Sequence, residues 1–247
     1  MITIGQKALT SVGIDIGTTT SHLVFSKLVL REDPLSRTKK FHVAEREIIY
    51  RGNIYFTPLK EGNREIDFDK LLIILLDEYK RAGFDVADVD TGAVIITGES
   101  ARKENAERIV EYLAREGGRF VAAAAGPNFE SLISAYGAGA VEYSRKRSCK
   151  LIHCDIGGGT SKISVIDKGV VKALASMNVG SRLIAFGQKD DIIRLEIAGK
   201  RVLEHLGMDC DLGGVIAPEQ KDCVAEVMAS ILMEVLTGKP LSELSER

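Results

Sequence analysis

Asp155 closes an apolar run, Leu151-Ile152-His153-Cys154, and is followed by Ile156, Gly157, Gly158, Gly159 and Thr160 before a second apolar run begins. A carboxylate, three glycines and a hydroxyl in that order are the residue types that hold a phosphate and its metal. Backbone N–H groups and a threonine hydroxyl in such a turn make a concave anion site. The glycines admit positive φ and let another molecule approach closely. A carboxylate at the strand end would order a divalent cation, or a water, beside the phosphate. One such turn is equally a tight β-hairpin with an exposed aspartate. The weighting changes because residues 12–25 repeat the design, with Asp15, Gly17, Thr18, Thr19 and Thr20 between apolar runs. Two Asp-Ile-Gly turns predict two similar half-domains facing one phosphate chain, with Asp15 and Asp155 on either side of Mg²⁺.

The elements that must position these turns can be read in order. Val12 to Ile16 and Leu23 to Leu30 read as strands around the first turn. Residues 31–40, with Pro34, read as an exposed loop, and Phe41 to Tyr50 as a further strand. Asp67 is a suitable N-cap for a helix that runs to Gly83, with Leu71, Leu72, Leu75, Leu76 and Tyr79 on one stripe and Ile73 and Ile74 widening it. This pattern predicts a well-buried helix. Ala93 to Ile96 reads as a buried strand, Ile109, Val110 and Leu113 as the inner face of a helix stopped by Gly117-Gly118, and Phe120 to Ala124 as another strand. Residues 125–140 combine a helical stripe with many small residues, which suits close packing on another backbone: a crossing between half-domains, or a helix pressed on a sheet. Ser144 to Lys150 reads as a solvated basic joint. After the second turn, Lys168-Gly169 predicts a hairpin turn, residues 181–186 a short helix, and a further helix runs from Asp190 or Leu195 to Leu206. Pro218 suits the first turn of a last helix carrying Val224, Val227, Ile231 and Val235.

Composition is that of an ordinary soluble globular protein, 45% hydrophobic and 28% charged, and 247 residues allow two small domains or one large one. A net charge of −2 gives no reason to expect nucleic acid or an anionic membrane. No apolar run reaches bilayer length, and the N-terminus lacks a signal peptide, so a cytoplasmic location is expected. Cys149, Cys154, Cys210 and Cys223 form no Cys-x-x-Cys pair, which predicts reduced thiols. His153 and Cys154 point to opposite faces of a strand and cannot share one ion. His22 reads as a half-exposed strand residue, and Glu99 as a charge favoured by a helix N-terminus.

The paired turns resemble the two phosphate motifs of the actin-like ATPase superfamily, which includes actin, the large heat-shock chaperones and the sugar kinases. The resemblance implies an α/β, ribonuclease H-like fold of mixed five-stranded sheets with flanking helices. It implies a first lobe over residues 1–143 and an incomplete second lobe over 150–247. It assigns ATP phosphates to Gly17, Thr18, Thr19, Thr20, Gly157, Gly158, Gly159 and Thr160, and Mg²⁺ to Asp15 and Asp155, which with Glu130 would be the catalytic carboxylates. One register places Glu130 beside the metal-bound water; a register two residues away places Asn128 there. Residues 125–140 would match the helix that crosses between the lobes.

The segments DIGTTTSHLVFS, YFTP at 55–58, IITGESA at 95–101, AGPNFES at 125–131, DIGGGT and LASMNVGSRL at 174–183 are similar to the ethanolamine ammonia-lyase reactivating factors of bacterial ethanolamine utilisation. That family implies an ATP- and Mg²⁺-dependent chaperone that releases damaged cobalamin from ethanolamine ammonia-lyase so that intact adenosylcobalamin can rebind. It implies the lyase as partner, a homodimer, and association with a bacterial microcompartment. The superfamily also closes its nucleotide site with a later Gly-Gly loop. Here only Gly213-Gly214 follows, read as a loop without a preceding strand, so a truncated chain with ATP turnover in doubt is expected. Two other readings are a sugar-kinase-like phosphotransferase, for which no distinctive base stands out, and a non-catalytic fragment that keeps the fold alone.

Overall fold

The computed structural model describes residues 5–33, 40–60, 65–97, 100, 104–116 and 120–246. Pro34, Glu99 and Gly117-Gly118 lie outside the described residues. The chain divides into two compact units, residues 1–125 and 126–247.

The first unit opens with β1 (Gln6–Ile16) and β2 (Thr20–Glu32), joined by the first glycine turn and paired antiparallel with Asp15 opposite His22. β3 (Phe41–Arg51) pairs with the outer side of β2, and β4 (Tyr55–Phe56) adds to the turn end of β2. Helix α1 (Phe68–Ala82) follows, then β5 (Thr91–Thr97), α2 (Ala106–Glu116) and β6 (Phe120–Ala125). β5 is parallel to both β1 and β6, which gives the mixed order β3-β2-β1-β5-β6. The core lies between sheet and helices: Val12, Ile14, Ile16, Leu23, Phe25, Val94 and Ile96 meet Leu71, Leu75, Ile109 and Leu113. Helix α1 begins and ends where its sequence predicts: the Asp67 carboxylate accepts the Lys70 N–H, and Gly83 closes the helix in left-handed backbone. Its apolar stripe is narrower than the sequence implies. Ile73 is 67% exposed and Leu76 41% exposed, while Glu78 is buried among the core positions.

The second unit contains α3 (Pro127–Gly137), α4 (Ala140–Arg147) and an antiparallel sheet of β7 (Lys150–Ile156), β8 (Ser161–Asp167) and β9 (Val170–Met177). Residues 125–140 thus hold a helix and the start of another, divided at Gly139, whose φ of 76° is left-handed. Small residues press α3 on the sheet. Ser131 and Ala135 are fully buried, Ser131 Oγ donates to the Ala175 carbonyl on β9, and Ser164 Oγ on β8 donates to the Ser131 carbonyl. Ser144 to Lys150 is solvated as read, with Arg145, Lys146, Arg147 and Lys150 exposed, but it is the end of helix α4 and the start of β7, not a linker. Ser144 is buried in α4, where its hydroxyl donates to the Cys149 carbonyl and accepts from Gly169 N–H. The predicted hairpin turn is present, with Lys168 and Gly169 both at positive φ.

The remaining elements are β10 (Ile184–Phe186), β11 (Ile192–Leu195), α5 (Ile197–His205), α6 (Pro218–Thr237) and α7 (Glu243–Glu246), with β10 and β11 paired antiparallel. One helix reading fails here. Residues 181–186 are not helical because the Ser181 and Arg182 amides donate to the glycine turn instead of to a preceding helical turn. Of the two starts read for the next helix, Asp190 is a turn residue with a φ of 62°, and α5 begins two residues after the other, Leu195, and is capped at Leu206. Pro218 opens the last long helix as expected. Among the described residues no helix is long and apolar enough to cross a membrane.

Candidate functional site

The two glycine turns are built alike. In the first, Gly17 N–H donates to the Thr20 carbonyl at 2.9 Å; in the second, Gly157 N–H donates to the Thr160 carbonyl at 2.9 Å. Each turn links the antiparallel strands that carry its aspartate: Asp15 pairs with His22 in one, Asp155 with Lys162 in the other. The glycines are needed for close approach and not for left-handed backbone. Neither Gly17 nor Gly157 has a positive φ, which corrects that part of the sequence reading. A Cβ on Gly17 would lie 2.9 Å from the Thr20 carbonyl oxygen, and one on Gly157 3.2 Å from that of Thr160.

Each turn is clasped from behind by hydroxyls and amides. The Gly17 carbonyl accepts from Thr57 Oγ1 at 2.8 Å and from Ser100 Oγ at 2.9 Å. Thr57 also donates its amide to the Thr19 carbonyl and shares a buried hydroxyl contact with Ser21. In the second turn, the Gly157 and Gly158 carbonyls accept the amides of Ser181 and Arg182 at 2.9 and 2.7 Å. Gly180 lies directly behind: a Cβ there would stand 2.5 Å from the Gly158 carbonyl oxygen. Thr57, Ser100, Gly180, Ser181 and Arg182 were not assigned to the site from sequence. Their one signal in the sequence is that they fall in the YFTP, IITGESA and LASMNVGSRL segments that carry the family resemblance.

The carboxylates sit at the turn mouths. Asp15 and Asp155 are half-buried at the ends of β1 and β7. Ser134 Oγ donates to Asp155 Oδ2 at 2.6 Å and lies 3.1 Å from His153 Nε2. With the serine proton directed to Asp155, the serine oxygen is left as the acceptor toward His153 Nε2, which is not the arrangement of a serine activated by histidine. Burial and the neighbouring Asp155 charge push the Cys154 thiol up, so it is a poor nucleophile at neutral pH. All four cysteines are free thiols. Asn128 is exposed in the first turn of α3, whereas Glu130 is mostly buried and pairs with Lys162 at 2.5 Å.

Among the described residues, two buried side-chain polar atoms have no hydrogen-bond partner, Thr19 Oγ1 and Glu130 Oε2. Both belong to residues read from the sequence as phosphate or water contacts. A buried hydroxyl or carboxylate oxygen without a partner costs about 1–3 kcal/mol, so two such atoms point to ligands that complete them. A phosphate oxygen suits the threonine hydroxyl, and a water suits the carboxylate oxygen. No group of three or more His, Cys, Asp or Glu able to hold a metal occurs among the described residues. Each turn instead offers one aspartate, a set suited to a hydrated Mg²⁺ that keeps waters and phosphate oxygens as its other ligands.

The family model described as ethanolamine utilisation protein EutA matches residues 7–247. The chain belongs to the EutA family. It is 37% identical over 243 residues to the ethanolamine ammonia-lyase reactivase EutA of Salmonella typhimurium and 36% identical to that of Escherichia coli. In both cases the match covers 97% of this chain and 51% of the relative, so the chain spans about half the length of those curated relatives. Among solved structures it is similar to the Ppx/GppA phosphatase of Aquifex aeolicus, at 19% identity and a TM-score of 0.50, over 95% of this chain and 65% of that one. That likeness bears on fold alone: the actin-like fold that the paired turns implied.

Proposed function

We propose that this chain carries the phosphate-binding turns of an ATP-driven reactivase, which frees ethanolamine ammonia-lyase of damaged cobalamin so that adenosylcobalamin can rebind. Membership of the EutA family supports the lyase as the partner. The observation that carries the nucleotide part is the twinned turns, whose unmatched buried oxygens, Thr19 Oγ1 and Glu130 Oε2, fit a phosphate chain and its water.

Mg·ATP supplies, when bound, a phosphoanhydride bond and a divalent charge. Thr18 to Thr20 and Gly158 to Thr160 would offer amides and hydroxyls to phosphate oxygens, the Thr19 hydroxyl among them, while the Gly17 and Gly157 amides close the turns. Asp15 and Asp155 would each offer a carboxylate to hydrated Mg²⁺, and Ser134 keeps the Asp155 carboxylate oriented. Glu130 Oε2, buried and without a partner, would accept from a water and orient it, while Asn128 is exposed. Such chemistry asks the protein mainly for positioning and charge neutralisation.

The test is recovery of ammonia release by lyase inactivated during turnover, with added chain, Mg·ATP and adenosylcobalamin. The reading expects recovery that needs ATP and that the Asp155→Ala chain fails to give. Recovery without ATP, or none with the wild-type chain, would contradict it.

A further inference from the structure

Lys162 has no role in the reading above, yet it is 7% exposed at the mouth of the second turn. Lysine is almost never buried without a partner, and its pairing with Glu130 could be purely structural. A structural pair should be complete on both sides, because a buried ion pair with open valences is worse than an apolar pair. This one is incomplete on both. An ammonium group has three donors, and among the described residues Lys162 meets one acceptor, Glu130 Oε1. The other oxygen of the same carboxylate is buried and unmatched.

Geometry says where the open donors face. Lys162 is registered opposite Asp155 on the neighbouring strand, and a Cβ on Gly157 would stand 3.6 Å from Nζ. The ammonium therefore lies against the glycine turn. In the first turn the matching position, opposite Asp15, is His22. At this register position the second turn carries a lysine and the first a histidine. Open donors beside a phosphate turn call for an anionic oxygen, and the adjoining open acceptor calls for a water.

We propose that Lys162 is a phosphate-contacting residue that binds a terminal phosphate oxygen of the nucleotide while Glu130 Oε1 holds the ammonium in place. This rests on the nucleotide reading above. It predicts a preference for triphosphate over diphosphate that depends on Lys162, because the terminal phosphate carries the contact.

The test is calorimetric titration of the 1–247 chain with Mg·ATP and with Mg·ADP, for wild type, Lys162→Met and Lys162→Arg. Lys162→Met should weaken ATP binding about 10–100-fold, the range of one hydrogen bond to a charged group, and change ADP binding little. Lys162→Arg, which keeps the charge, should retain most of the preference. If Lys162→Met does not fold, because Glu130 is left as an unpaired buried charge, the Glu130→Gln/Lys162→Met double variant replaces it and should show the same loss. An unchanged ATP-to-ADP ratio in a folded Met variant would overturn the role of Lys162 and leave the nucleotide reading standing. Failure of the wild-type chain to bind either nucleotide would overturn both.

Discussion

Glu78 offers a quantitative test of how the first turn is held. Its side chain is 1% exposed on α1, and it accepts four hydrogen bonds: Tyr55 Oη at 2.6 Å, Tyr50 Oη at 2.8 Å, Asn53 Nδ2 at 2.9 Å and Asn53 N at 3.1 Å. These clamp the β3–β4 connection to α1, and the same connection delivers Thr57 to the Gly17 carbonyl. In Glu78→Ala the donors lose their acceptor. At about 1.5–3 kcal/mol per bond to a charged group, four bonds would suggest a very large loss. Tyr50 and Tyr55 are only half-buried, however, and Asn53 is exposed, so water replaces part of what is removed. The expected loss is about 3–4 kcal/mol, near the lower end for breaking a buried charged cluster. For a unit of this size that lowers Tm by roughly 11–15 °C.

The charge has a pH signature. Burial pushes the Glu78 carboxyl up, but the hydrogen bonds from Tyr55, Tyr50 and Asn53 outweigh it and hold the group below its usual 4.5. A depressed carboxyl gives stability that is fully present above the unfolded pKa and is lost as pH falls through the folded one. The wild-type advantage over Glu78→Gln should therefore be flat near neutrality and shrink below about pH 4.5. Differential scanning calorimetry of wild type, Glu78→Ala and Glu78→Gln across this range is the assay. A Glu78→Ala loss within the ~0.5 kcal/mol of an ordinary surface change would refute the reasoning. So would a wild-type advantage over Glu78→Gln that grows on acidification.

Three further outcomes are expected. Gly180→Ala drives a methyl into the Gly158 carbonyl, so the 126–247 unit should lose about 1–3 kcal/mol by calorimetry, with the Ser181 and Arg182 amides exchanging faster. Thr57→Val removes one of two hydroxyl donors from the Gly17 carbonyl and strands the buried Ser21 hydroxyl; a loss of about 1–2 kcal/mol is expected from denaturant unfolding. Ser134→Ala releases the Asp155 carboxylate, so Mg·ATP affinity should fall about tenfold in titration while Tm moves little.

The sequence was most legible where chemistry repeats. Asp15-Ile-Gly17 and Asp155-Ile-Gly157 announced two matching hairpins, and both turns close with the same hydrogen bond. The caps of α1 were equally plain, because Asp67 and Gly83 act locally. Partners far along the chain were not legible. Glu78 looks like a surface residue until Tyr50, Asn53 and Tyr55 arrive from another strand, and Lys162 reads as one more charge until α3 lays Glu130 beside it. Residues 181–186 were misread for the same reason, since their amides serve the glycine turn. Register also hid exposure: the run of leucines and isoleucines in α1 gives no sign that Ile73 faces solvent.

The central claim is that the two turns hold a nucleotide's phosphates, and isothermal titration of the chain with Mg·ATP tests it most directly, beside Asp155→Ala. Saturable binding that requires Mg²⁺ and that Asp155→Ala abolishes is the predicted result. Binding unchanged by Asp155→Ala, or no binding by the folded wild-type chain, would contradict it.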